Sequence, residues 1–125
     1  MKKRILIVDD EVQFIWLLKL NLEQAGAYEV RTEPDGTQAV SVARAFHPDL
    51  ILLDVRMDEI DGRAVAAQLR ADAATAQTPI VFLTASVGLA SAMTPEGTLD
   101  GYPCLAKPVN LEQLRACIEK HLGHH

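Results

Sequence analysis

The 125-residue sequence predicts an α/β domain, a parallel sheet with helices packed on both of its faces, and three observations carry that reading. Five strand-like runs alternate strictly with five helix-like segments, an order that implies right-handed crossovers between parallel strands. The central run, Leu50-Ile51-Leu52-Leu53, is continuously apolar between two turn signals, His47-Pro48-Asp49 and Asp61-Gly62, as a strand buried on both faces requires. The runs also end in polar residues, Asp9-Asp10, Asp54, Thr84 and Lys107. These would gather along the carboxyl edge of the sheet, where open α/β folds place their ligands.

Arg4-Ile5-Leu6-Ile7-Val8 is the first strand. Glu11 to Gln24 has helical spacing, with Phe14, Leu17, Leu18, Leu22 and Ala25 on one stripe and Gly26 as its stop. On that assignment Trp16 and Leu20 lie one turn apart on the far side, facing water and flanked by Ile15. Tyr28 to Thr32 alternates like a short strand. Asp35-Gly36 turns the chain into a helix from Thr37 to Phe46, with Ala39, Val40, Ala43 and Phe46 inward. The third strand delivers Asp54. After a loop from Val55 to Gly62 comes a helix from Arg63 to Ala71 with Val65 and Leu69 inward, then a small-residue linker from Asp72 to Thr78. Pro79 to Leu83 is the fourth strand, ending at Thr84. Gly88, Thr94-Pro95 and Gly97 interrupt the segment from Ser86 to Asp100, so the fourth helix is expected to be irregular, with only Leu89 to Met93 helix-competent. Tyr102 to Ala106 is the last strand, assigned to a sheet edge because Pro103 cannot donate to a ladder. A helix from Leu111 to Leu122 then buries Leu114, Cys117 and Ile118.

With 49% apolar residues the chain suits one domain over 1–122 and builds an ordinary core without staples. Its net charge of −5 leaves no basic footprint for phosphate backbones, so direct nucleic-acid binding by this chain is not expected. Two cysteines, Cys104 and Cys117, with no signal-peptide pattern and no apolar run of bilayer length, indicate a reduced cytoplasmic setting without a membrane partner. Gly123-His124-His125 reads as a tag remnant or tail outside the domain.

Singly, the polar strand ends have plain uses, an aspartate or threonine as a helix cap and a lysine before proline as a solvated loop residue. Together they suit phosphoryl chemistry. Crowded carboxylates at Asp9, Asp10 and Asp54 are tolerated when a cation sits among them, and an all-oxygen site suits a hard ion such as magnesium. An ionised carboxylate is a nucleophile toward phosphorus, and a lysine and a hydroxyl can bind the equatorial oxygens of the transition state.

In these residues the whole chain resembles the receiver domain of two-component response regulators, of the chemotaxis-regulator type. The matching motifs are Ile5-Leu6-Ile7-Val8-Asp9-Asp10-Glu11, Leu52-Leu53-Asp54-Val55 with Met57 and Asp61-Gly62, Thr84-Ala85, and Lys107-Pro108. The resemblance implies a flavodoxin-like fold with five strands in the order 2-1-3-4-5. It also implies phosphorylation of Asp54 by a phosphohistidine donor, either a sensor histidine kinase or a histidine phosphotransfer protein. Magnesium (or manganese) would be held by Asp9, Asp10, Asp54 and the backbone carbonyl of Arg56, with Asp10 the direct ligand and Asp9 acting mainly through water. Lys107 would contact the phosphoryl group, Thr84, followed by Ala85, would swing toward it, and the bond before Pro108 would be cis. The chain would then be a signalling switch rather than a turnover enzyme.

Two positions depart from the family pattern. Cys104 stands three residues before the lysine, where a switching tyrosine or phenylalanine is usual, and Asp58 replaces a loop proline. In this family phosphodonor bundles commonly dock on the first helix, which makes Ile15, Trp16 and Leu20 a candidate docking patch for the donor or for a second copy of the chain. The competing reading is a magnesium-dependent phosphohydrolase working through an aspartyl phosphate. It lacks a second acid two positions after Asp54, where Arg56 stands. A flavin or nucleotide binder would want a Gly- or Ser-rich loop where Asp9-Asp10-Glu11 is acidic.

Overall fold

The computed structural model describes residues 2–24, 26–85, 93–95 and 97–122. In chain order the elements are β1 (Lys3–Val8), α1 (Val12–Gln24), β2 (Tyr28–Glu33), a 3-10 turn (Gly36–Gln38), α2 (Ala39–Phe46), β3 (Leu50–Asp54), α3 (Gly62–Ala71), β4 (Ile80–Thr84), β5 (Thr98–Leu99), β6 (Tyr102–Ala106) and α4 (Leu111–His121). No described helix is long and apolar enough to cross a membrane.

The sheet order is β2-β1-β3-β4-β6-β5, and the five longer strands are all parallel. Those five keep the expected order, but the sheet has six strands rather than five. The extra one, β5, runs antiparallel to β6, setting Leu99 opposite Tyr102 and Thr98 opposite Pro103. A two-residue strand is too short to show a period. Its connection to β6 is a tight hairpin: Asp100 and Gly101 both have positive φ, 52° and 83°, as such a two-residue turn demands. The strand expected at a bare edge is therefore partly covered, and Cys104 N–H donates to Gly97 O at 2.8 Å. The helix expected within 86–100 falls largely outside the described residues. Beyond Met93 the chain turns, with Gly97 N–H donating to Thr94 O at 2.9 Å, and then enters β5. Four α-helices are therefore described. The terminal 123–125 also lies outside the described residues.

Alternate residues of each central strand feed opposite faces, as the pleat requires. Leu6, Val8, Ile51, Leu53 and Phe82 pack under α2 and α3. Ile5, Ile7, Leu50, Leu52, Val81 and Leu83 pack under α1 and α4. Helix starts are fixed by side-chain caps: Asp61 accepts from Arg63 N–H at 2.7 Å, and Asn110 from Glu112 N–H at 2.8 Å.

The buried face of α1 corrects the sequence reading. Ile15, Leu18 and Leu22 are buried, Phe14 is half-buried, and Leu17 is 53% exposed. Apolar residues occupy most of positions 12–22, so two stripes compete, and the sheet selects the one through Ile15, Leu18 and Leu22. Ala25 lies outside the described residues. In α2 it is Val42 that joins Ala39, Ala43 and Phe46 in the core, while Val40 packs only partly. Cys117 in α4 is likewise only partly buried.

Candidate functional site

Each strand of the central trio brings a side chain to the carboxyl edge. Asp9 follows β1 and is fully buried, Asp10 is partly exposed, and Asp54 closes β3 at 3% exposure. One oxygen from each lies within 4.8 Å of the others, the single such group of three potential metal ligands among the described residues. Loop backbone holds the carboxylates in place. Glu11 N–H donates to Asp9 Oδ1 at 2.9 Å, Asp58 N–H to Asp10 Oδ2 at 2.9 Å, and Arg56 N–H to Asp54 Oδ1 at 3.4 Å. Lys107 comes in from the end of β6, where its N–H donates to Thr84 O at 2.8 Å and its peptide bond to Pro108 is cis. Its Nζ lies 2.6 Å from Asp9 Oδ2, 2.6 Å from Glu11 Oε1 and 3.7 Å from Asp54 Oδ2, with the Phe14 ring centre at 4.6 Å.

Burial, followed by the charge of Asp9, pushes the Asp54 carboxyl up to about 7; Lys107 and the Arg56 N–H oppose that rise without cancelling it. Burial also raises Asp9 against the pull of Lys107. For Lys107 burial favours the neutral form, but its contacts to Asp9 and Glu11 prevail and hold its pKa above the usual lysine range. Three carboxylates, Asp9, Glu11 and Asp54, thus surround one ammonium, with Asp10 beside two of them. Asp9 Oδ2 is buried and, despite the nearby Nζ, receives no well-directed hydrogen bond. An orphaned buried oxygen within an all-carboxylate set that exceeds its counter-charge fits a hard divalent cation.

Thr84 is buried at the end of β4, and Ala85 beside it is exposed. Arg56 is exposed, its backbone bridged to Asp61. Sequence reasoning took Gly62 as a turn residue and as part of the receiver resemblance, without a packing role. A Cβ there would sit 2.1 Å from Asp54 O and 2.8 Å from Val55 Cα, so only glycine lets α3 start against the strand that carries Asp54. The reach of Glu11 to Lys107 was also missed, since 96 residues separate them and no local pattern links them. Cys104 is buried opposite Phe82, and burial pushes its thiol up to about 11. The Tyr102 ring packs edge-on against Phe82 at 5.2 Å, with the Arg70 guanidinium 5.4 Å from its centre. Of the expected docking patch, Trp16 and Leu20 are exposed at 58% and 47%, but Ile15 is 2% exposed and belongs to the core. Val12 and Leu17 take its place on the outer face.

A doubly wound sheet that gathers an acid trio and an ion-paired lysine at its carboxyl edge defines a class of phosphate-handling switch domains rather than a nucleotide-binding fold. The sequence matches the response regulator receiver domain over residues 5–119, and the chain belongs to that family, whose members are phosphoacceptor modules of two-component signalling. It is 38% identical over 122 residues to a probable transcriptional regulator, ycf27, of Cyanophora paradoxa, a match that covers 97% of this chain and 48% of that protein. Among solved structures it resembles a putative response regulator from Chloroflexus aurantiacus, with 30% identity, a TM-score of 0.82 and 98% of each chain covered. It also resembles the receiver domain of the sensor histidine kinase PA1611 from Pseudomonas aeruginosa, which has magnesium coordinated in its active-site cleft. That likeness has 27% identity, a TM-score of 0.80, and covers 98% of this chain and 99% of the other.

Proposed function

We propose that Asp54 is the phosphoacceptor, taking its phosphoryl group from a phosphohistidine on a cytoplasmic sensor kinase or phosphotransfer protein. The observation that carries this reading is a nearly buried carboxylate at a strand end, with oxygens of Asp9 and Asp10 within 4.8 Å and an ammonium 3.7 Å away. A carboxylate oxygen of Asp54 forms an O–P bond as the P–N bond to the donor histidine breaks. The bonding pair stays on the imidazole nitrogen, and with the other ring nitrogen already protonated the products are an acyl phosphate and a neutral histidine. Lys107 binds an equatorial phosphoryl oxygen, and Thr84 reaches another. Asp9, Asp10, Asp54 and the Arg56 carbonyl would hold magnesium or manganese, which would supply the positive charge that keeps Asp54 ionised beside an incoming anion.

Donor docking falls to the outer face of α1, where Val12, Trp16, Leu17 and Leu20 form an exposed apolar stripe leading away from Glu11 at the site's rim. The control of transcription named for the Cyanophora relative is not carried over to these 125 residues, which span about half of that protein. A phosphohydrolase reading is weaker, because Arg56 stands where a leaving-group acid would be needed. A small-molecule phosphoryl donor with magnesium should add one acyl phosphate per chain, and Asp54→Asn should remove all of it. Label persisting on the variant, or turnover of p-nitrophenyl phosphate, overturns the assignment.

A further inference from the structure

We infer that Glu11 is a positioning residue for phosphoryl acceptance: it holds the Lys107 ammonium at the rim of the acidic pocket and thereby sets how readily that lysine meets the phosphoryl group. The inference rests on the reading of Lys107 as the cation that binds the phosphoryl oxygens.

The contacts of Nζ divide into an inner and an outer set. Inside, Asp9 Oδ2 lies at 2.6 Å and Asp54 Oδ2 at 3.7 Å, both on buried side chains. Outside, the residue just before α1 supplies Glu11 Oε1 at 2.6 Å, and the first turn of α1 supplies the face of the Phe14 ring at 4.6 Å. The Glu11 backbone is fixed at both ends, its N–H donating to Asp9 Oδ1 and its carbonyl accepting from Ile15 N–H at 3.1 Å. Its side chain is therefore tied to the same loop that orients Asp9, and it closes over Lys107 from the solvent side.

The two tight pairs differ in how easily they break. Lys107 is 8% exposed and Asp9 fully buried, so parting them would strand a buried charge. Glu11 is 59% exposed, and water can replace the ammonium at its carboxylate. A phosphoryl group arriving on Asp54 draws the ammonium toward it, and of the two carboxylates at 2.6 Å the exposed Glu11 is the one that can be released. Glu11 thus competes with the phosphoryl oxygens for Lys107.

Removing the Glu11 carboxylate also lowers the negative charge that meets an incoming phosphate, so two variants are needed. Glu11→Ala removes both contact and charge. Glu11→Asp keeps the charge but is one methylene too short to reach Nζ. Initial rates of phosphorylation by acetyl phosphate at saturating magnesium should rise about twofold to fivefold in both variants, the range expected for releasing a partly exposed ion pair. Neither substitution should raise the rate in a Lys107→Ala background. Binding of beryllofluoride, an acyl phosphate mimic, gives the same double-mutant cycle at equilibrium and needs no activity from Lys107→Ala. A rise in Glu11→Ala with none in Glu11→Asp assigns the effect to rim charge and overturns the inference. So does an equal rise with and without Lys107. If Lys107→Ala alone leaves both phosphorylation and beryllofluoride binding at the wild-type level, the reading of Lys107 fails instead, and the inference falls with it.

Discussion

The two flanks of the carboxyl edge are built on different terms. On the β1–β3 side, Asp9, Asp10 and Asp54 match the receiver pattern residue for residue, and loop N–H groups hold their oxygens. On the β4–β6 side only Thr84 and Lys107 match. Between them lies a buried thiol at Cys104 and a ring at Tyr102 that packs on Phe82. The contrast teaches where residue identity is forced. Clustered buried charge admits few solutions, because each carboxylate needs named partners at hydrogen-bond distance. Apolar contact under a sheet admits many, so the β4–β6 flank tolerates a changed side chain better than the acidic flank does.

The largest test of that difference is Gly62→Ala. The added Cβ would meet the Asp54 carbonyl and the Val55 Cα, backbone atoms that cannot give way, so α3 must lift from β3. A loss of about 3 kcal/mol or more in denaturant unfolding is expected, together with loss of phosphoryl labelling. A side chain at Gly26 meets nothing within 4 Å and is strained only by its φ of 79°, so Gly26→Ala should cost about 1–2 kcal/mol. Equal stability of Gly62→Ala and wild type would show that the acceptor flank is looser than its geometry implies.

Asp54 itself comes next, and the sign of its effect depends on pH. Its carboxyl rests at about 7 in the fold against an ordinary 3.8, so between those values the folded chain keeps a proton that the unfolded chain has released. Stability is therefore lost as pH rises from about 4 to 7, and the loss is complete above that window. Asp54→Asn should stabilise the metal-free protein at pH 8 by about 2–4 kcal/mol and do little at pH 4. Magnesium should then stabilise wild type more than the variant. A variant no more stable than wild type at pH 8 would mean that Lys107 already neutralises the trio.

Legibility in the sequence follows the same division. β3 was readable because four consecutive aliphatics have no other home than a strand covered on both faces, and the acid trio because each member closes a strand. α1 was half-readable. Its existence followed from spacing, but its apolar residues nearly encircle it, so the choice between Ile15 and Leu17 as core depended on contacts with the sheet. The docking patch inherited that error through Ile15. The reach of Glu11 to Lys107 spans 96 residues, which no local window contains, and β5 went unread because two residues are too few to show a period.

Cys104 sharpens the comparison from the other flank. Buried at 3% exposure opposite Phe82, it has little room to grow, and it is not the bare edge residue that the sequence suggested. Restoring an aromatic with Cys104→Tyr should cost about 1–3 kcal/mol by overpacking. Cys104→Ser should cost about 1 kcal/mol by burying a hydroxyl. Thermal unfolding of both variants decides the matter. A Cys104→Tyr protein as stable as wild type would reveal space for a ring at this position, and the contrast between the two flanks would narrow.

The smallest expected change in stability belongs to Trp16, yet its functional consequence should be the most selective. The chain's one tryptophan is 58% exposed on the outer face of α1, between Val12 one turn before and Leu20 one turn after, with Leu17 beside them. Nothing in the core rests on it, so Trp16→Ala should move stability by less than about 0.5 kcal/mol, whereas Ile15→Ala one residue away should cost about 2–5 kcal/mol. An apolar stripe that begins beside Glu11 at the pocket's rim is placed to seat a donor whose phosphohistidine must reach Asp54, and tryptophan is over-represented among residues that dominate interface energy. Phosphotransfer from the cognate donor at low concentration should fall by about tenfold or more in Trp16→Ala, the cost of losing one aromatic anchor. Labelling by acetyl phosphate should hold at the wild-type rate. A parallel fall in both would place the defect in the acceptor site. An unchanged transfer, with an unchanged oligomeric state, would leave the outer face of α1 without a docking role.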